Sequence, residues 1–251
     1  PRHCFADAAA WRAGELDRMS PGALAARIVA EYRPAQCAEI FARMRAAGTW
    51  LVPTHVTREE DARSADPSMV ADRRLDYLDP LSRWALRDDL AAVAARYPEP
   101  ADQQALRRYF EHGRRLTGAA YRAGVRVLVG TDTVIGGFRY HDEMAHLVRA
   151  GLTPAEVLRA ATIDAARYAG QDRRAGSIMP GKRADLVLLR ADPLANIANT
   201  RRIEAVLMNG RLYDRARLDG LLRYVKGQAQ SPAIIARLLV GFLRSSVQSD
   251  L

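Results

Sequence analysis

Gly130-Thr131-Asp132-Thr133 is the segment whose residue types and position point most directly to chemistry. It sets a carboxylate immediately after the apolar run Val125-Arg126-Val127-Leu128-Val129. In a parallel sheet or barrel, polar groups at the C-terminal ends of the strands line the site. An aspartate there, ionised at neutral pH, can accept a proton from water or ligate a metal. It can equally be a turn or capping residue, and the tetrapeptide alone leaves both readings open. Thr131 and Thr133 flank the carboxylate and are placed to orient it.

The histidines are His3, His55, His112, His141 and His146; none forms His-x-His, and there is no HExxH. A catalytic zinc takes three protein ligands, and no such triple is evident. His55 follows the short β-prone run Thr49-Trp50-Leu51-Val52-Pro53-Thr54. If that run is a buried strand, His55 ends it and faces the mouth of the site, as a substrate contact or auxiliary ligand, or else as a hydrogen-bonded strand-end histidine. His141 comes after Asp132, behind Gly136-Gly137. It is a candidate substrate contact, with a surface histidine at a helix start as the alternative. On one helix His141 and His146 would point roughly 140° apart, so His146 is read as packing or solvent. His3 and His112 have no context that favours function.

The elements that must position these groups follow from hydrophobic periodicity. Ala23 to Tyr32 and Pro34 to Ala47 read as helices, with Gly48 as the stop before the first strand. From Glu59 to Pro100 the composition turns charged, and breakers surround a helical stretch near Leu81 to Tyr97. This reads as an excursion over one end of the fold. Ala101 to Ala123 reads as a helix, Gly124 ends it, and Val125 to Val129 reads as a parallel strand. Thr153-Pro154-Ala155-Glu156 announces another helix with a capping box, to be stopped at Gly170. After it the period shortens: Gly176 to Ile178, Asp185 to Leu189, Ile203 to Met208 and Arg211 to Tyr213 read as a small β-unit, with Asn209-Gly210 as a hairpin turn. From Arg215 the pattern is helical again. Helices alternating with strands imply α/β architecture with a parallel sheet.

The bulk properties exclude whole classes. A chain of 251 residues that is 49% hydrophobic buries a substantial core. No apolar run approaches the ~20 residues of a membrane helix. Cys4 and Cys37 show no CxxC spacing and read as small apolar residues. The net charge of +9 comes almost wholly from arginine, since Lys182 and Lys226 are the only lysines. Those arginines often stand beside acids, as in Arg58-Glu59-Glu60-Asp61 and Arg87-Asp88-Asp89. A solvated arginine-rich surface therefore outweighs a nucleic-acid face, and no nucleic acid or membrane is expected as a partner.

Three stretches in register carry a resemblance. Val-Arg-Val-Leu-Val-Gly-Thr-Asp-Thr from Val125, Leu147 to Thr162, and Gly-Ser-Ile-Met-Pro-Gly-Lys-Arg-Ala-Asp-Leu-Val-Leu-Leu from Gly176 resemble consecutive signatures of the amidohydrolase superfamily, ending in Val206 to Arg211. The similarity is greatest to its imidazolonepropionase-like and Xaa-Pro-dipeptidase-like branch. It implies a TIM (β/α)8 barrel with an appended β-sandwich, of which this chain would be the C-terminal part. On that basis residues 1–171 would be barrel, 172–214 β-sandwich and 215–251 a helical extension.

The resemblance also implies hydrolysis of a carbon–nitrogen bond in an amide, cyclic amide or small peptide, with a divalent metal, zinc first. Asp132 matches the aspartate of the eighth strand, as catalytic base and metal ligand. Similar sequences often carry a histidine near His141. The other metal ligands of the family have no counterpart, so the resemblance implies a fragment that holds no metal alone. The remaining alternatives are a non-catalytic binding or assembly module and an inactive truncated product; a homo-oligomer is compatible with each. The compartment stays open, with cytoplasm as the default.

Overall fold

The computed structural model describes residue 14, residues 16–234 and residues 236–237; His3 and Cys4 lie outside them. Trp50–Leu51 forms β1 and Arg126–Val127 forms β2. They pair in parallel, Trp50 opposite Arg126 and Leu51 opposite Val127, and the Leu128 amide donates to the Leu51 carbonyl at 2.9 Å. The expected pairing is present in shortened form. Pro53 has no amide to extend the ladder. Gly130 passes so close to the other strand that a Cβ there would lie 2.4 Å from Val52 Cγ1.

Two helices, α1 (Pro21–Ala30) and α2 (Pro34–Ala46), lead into β1. A third, α3 (His55–Ala62), follows it directly. Short 3-10 turns at Pro67–Met69 and Arg73–Tyr77 then precede α4 (Pro80–Arg96) and α5 (Pro100–Arg122). After β2 come α6 (Gly136–Arg149), α7 (Pro154–Ala161) and α8 (Ile163–Tyr168). Proline in the first turn of α1, α2, α4, α5 and α7 fits a position whose amide has no helical partner.

The single helix expected up to Gly170 is two. Thr162 departs to φ −131°, ψ −91°, and its hydroxyl donates to the Leu158 carbonyl at 2.6 Å. Gly176 crosses over α8 at this break, where a Cβ would meet Ala166 Cβ at 2.7 Å. The capping box of Thr153 and Glu156 is present as read.

A central core joins β2 to α6 and α7: Val127, Met144, Leu147, Leu152 and Val157 are buried with Ile197, and Leu51 and Val129 pack against them. Each such side chain stabilises the fold by about 1.5–3 kcal/mol. Leu16 and Ile28 form a second cluster with Tyr109. Cys37 is buried and disulfide-bonded rather than a free apolar side chain.

Leu186–Leu189 (β3), Ile203–Met208 (β4) and Arg211–Tyr213 (β5) form an antiparallel sheet in the order β3-β4-β5. Asn209 at φ 50° and Gly210 at φ 73° turn the hairpin. Gly176 to Ile178 forms no strand, because this stretch is spent crossing α8. Leu186, Val187 and Leu188 are all exposed, so neither face of β3 is covered. Helix α9 (Arg215–Ala229) runs back to the charged excursion, where Lys226 meets Asp76 at 2.7 Å. No described helix is long and apolar enough to cross a membrane.

Candidate functional site

The two parallel strands end in matching conformations. Thr54 after β1 has φ 48° and Asp132 after β2 has φ 47°; among the described residues only Asn209 of the hairpin joins them as a non-glycine residue with positive φ. Such backbone costs about 1 kcal/mol or more, and surrounding contacts must hold it. They come from α3. Thr57 Oγ1 lies 2.7 Å from the Thr131 carbonyl and 2.6 Å from that of Asp132, and Thr133 Oγ1 donates to Glu60 at 3.0 Å. Asp132 is thus gripped on both sides by its backbone. Its side chain is exposed and makes no hydrogen bond or ion pair with the described residues.

His55 opens α3 rather than ending a strand, and the structure places its ring inside the protein. It is 4% exposed and lies against Phe110 and His146, with ring centroids 6.4 and 5.9 Å away. Its Nε2 is buried without a partner. Burial first, then His146, Arg114 and Arg149, lower its pKa to about 3, so the ring is neutral at neutral pH.

The carboxylate behind it is Glu143, which is fully buried. Glu143 Oε2 accepts the Val56 amide at 2.9 Å and caps the first turn of α3 from another helix, since Thr54 provides no side-chain cap. The helix was missed in the sequence because its cap lies 87 residues away. Glu143 Oε1 has no partner, and burial chiefly raises this carboxyl to about 7.

Around these groups runs an ion network. Arg139 is buried and donates to Glu59 at 3.0 Å, Asp142 at 3.0 Å and the Val56 carbonyl at 3.3 Å. Arg74 donates to Asp142 at 2.6 Å, and Arg201 closes on the same carboxylate. His146 is buried too, which decides for packing between the two readings of packing and solvent. Arginine can only donate, so Arg149 at 2.8 Å from His146 Nδ1 assigns the proton to Nε2, which faces Glu59 at 3.4 Å. Burial alone would raise Glu59, but the hydrogen bond of His146, with the charge and hydrogen bond of Arg139, brings it down to about 2. Arg139, Glu143 and His146 were missed as a set. Their i, i+4, i+7 spacing on the core-facing stripe of α6 was the available signal.

His141 stands half-buried on α6, its Nδ1 2.9 Å from Thr200 Oγ1. Burial first, then Arg201, lower its pKa. Among the described residues no three His, Cys, Asp or Glu side chains form a group that could hold a metal. His55 is turned inward, and among the described residues no second and third ligand gather beside Asp132. These residues alone do not fit the metal that the sequence resemblance implies. A cavity of about 860 Å³ does open in the molecule, lined by Trp50, Tyr121, Val125, Arg126, Arg159 and Tyr168. It lies at the N-terminal ends of the strands, away from Asp132, where Arg126 stacks over Trp50 at 5.0 Å. Placement at the strand ends outweighs size in choosing the site.

Comparison with known proteins adds to this picture. The model of the amidohydrolase family matches residues 17–213. Ochratoxinase of Aspergillus niger is 37% identical over 79 residues, which cover 31% of this chain and 16% of the enzyme. Among solved structures, a bottromycin amidohydrolase superposes with TM-score 0.60 at 27% identity, over 86% of this chain and 52% of its own. A Xaa-Pro dipeptidase with bound methionine in its active site shares the fold, with TM-score 0.50 at 24% identity over 70% of this chain and 37% of its own. The chain therefore spans about half or less of the length of these relatives. Mycobacterial relatives of undescribed function, 35% identical over 129 residues, are matched over 32% of theirs.

Proposed function

The chain belongs to the amidohydrolase family, and from that premise we propose that it contributes the Asp132 edge of a metal-dependent hydrolase site acting on carbon–nitrogen bonds in amides, cyclic amides or small peptides. The observation that carries this reading is the pair of parallel strands with an exposed, unpartnered carboxylate at the end of β2. Its backbone is held in a costly conformation by Thr57 and Glu60. Strain of this kind collects at functional sites.

In this proposal Asp132 takes the proton from the attacking water and delivers it to the leaving nitrogen. Asp132 would be the ligand this segment gives to a divalent metal, zinc first, whose chemistry when bound is polarisation of the scissile carbonyl. Its other ligands would come from polypeptide other than these residues, which fits the absence of a three-ligand group among those described. The parallel pair would then be the last two strands of a (β/α)8 barrel, with residues 172–214 in the β-sandwich and 215–251 as a helical extension. The 251 residues would be inactive alone. His141 is retained as a substrate contact. His55, buried against Phe110 and His146, is assigned there only an indirect part through the start of α3.

The test is amine release from N-acyl amino acids, cyclic amides and dipeptides by the chain extended with its upstream coding sequence and supplied with zinc. Release that vanishes in Asp132→Asn supports the reading; undiminished release in that variant overturns it.

A further inference from the structure

The contacts of Thr200 define which nitrogen of His141 carries the proton. Thr200 is buried in the 3-10 turn Ile197–Arg201, just before β4. Its hydroxyl has two neighbours, the Ile197 carbonyl at 2.7 Å and His141 Nδ1 at 2.9 Å. A hydroxyl has one hydrogen to give. A carbonyl can only accept, so both contacts are hydrogen bonds only if Thr200 donates to Ile197 and accepts from Nδ1–H of His141. The opposite arrangement would leave the hydroxyl with one bond in a buried place, which costs about 1 kcal/mol or more.

With the proton on Nδ1, Nε2 of the neutral ring presents a lone pair. This nitrogen has no partner among the described residues and does not appear among the sealed buried atoms, in contrast to Nε2 of His55. We infer that Thr200 is a positioning residue that holds His141 as the Nδ1–H tautomer, so that Nε2 accepts a hydrogen bond from a donor on the substrate, the N–H of an amide. The tautomer follows from contacts within the chain. The substrate contact rests on the proposed hydrolase reading. The geometry also means that a residue between β3 and β4 of the antiparallel sheet sets the chemistry of a side chain on α6.

The tautomer is read directly by long-range ¹⁵N–¹H correlation on the full chain carrying ¹⁵N-histidine, with His141→Gln identifying the signal. The expected result is a protonated Nδ1 and an unprotonated Nε2. Thr200→Val, which removes the acceptor, should shift His141 toward the Nε2–H form; Thr200→Ser should restore the parent pattern and show that the change is not one of folding. An Nε2–H ring in the unmodified chain, or one indifferent to Thr200→Val, overturns the inference. The contact is then tested by titrating propionamide against methyl propionate, which has no N–H. A shift of His141 Nε2 with the amide and none with the ester supports it. Equal responses to both, or a response to neither, remove the amide contact and leave the tautomer standing.

Discussion

Thr57 Oγ1 lies 2.6 Å from the carbonyl oxygen of Asp132, across 75 residues of sequence. That bond ties the first turn of α3 to the loop beyond β2. It is one of few contacts that can keep Asp132 at φ 47°. Thr57→Val, which keeps the shape and removes the donor, should lower stability by about 1 kcal/mol, while Thr57→Ser should stay close to the parent. Urea unfolding of the three proteins decides it, and Thr57→Val with the parent midpoint would show that the loop is held otherwise.

Strain and function should separate at Asp132 itself. Glycine adopts positive φ without steric cost, so Asp132→Gly should raise the unfolding free energy by up to about 1 kcal/mol and abolish turnover in the upstream-extended chain. Asp132→Asn, which tolerates the same backbone, should leave stability near the parent and lower turnover by about 10² to 10⁴-fold. Asp164, paired with Arg167 at 2.7 Å, is the acid to use as a control. Asp142 is not suitable, because three arginines converge on it.

The pH dependence of stability should carry opposing contributions from two buried groups. Glu143 is raised from 4.5 to about 7; the fold binds its proton more tightly than the unfolded chain, so this contribution is full below about 4.5 and lost as pH rises through 7. His55 is lowered from 6.5 to about 3; its contribution is present above 6.5 and lost as pH falls toward 3. Between pH 4.5 and 6.5 the two offset. Glu143→Gln still offers a carbonyl oxygen to the Val56 amide and cannot ionise. Its stability relative to the parent should therefore climb between pH 4.5 and 7, as measured by thermal unfolding across that range. A constant difference between the two proteins would remove Glu143 as the titrating group.

Exposed apolar residues on β3 predict association. Leu186, Val187 and Leu188, with Leu212 on β5, leave the antiparallel sheet uncovered, and such surfaces normally meet a partner. At micromolar concentration the chain should sediment as more than a monomer, and Val187→Lys with Leu212→Lys should reduce that association. A monodisperse monomer for the parent would count against the proposal that residues 172–214 belong to a β-sandwich.

Much of this protein was written locally. The run Val125 to Val129 followed by Asp132 specified a strand with an acid at its end, because apolar runs and their breakers act within a few residues. Thr153 and Glu156 fixed the start of α7, and Asn209-Gly210 fixed the hairpin, for the same reason. The parallel pairing of β1 and β2 was legible from helix–strand alternation. What tertiary structure alone decided depends on groups far apart in sequence. Glu143 caps helix α3 from α6, so the group that satisfies the start of this helix lies outside its own residues. The fate of His55 followed from this, since the same helix start turns its ring toward Phe110 and His146 instead of the strand ends. The proton on His141 is likewise assigned by Thr200, 59 residues away. Periodicity records which face of an element is buried, whereas the charge and proton state of a buried group depend on the neighbours that folding brings beside it.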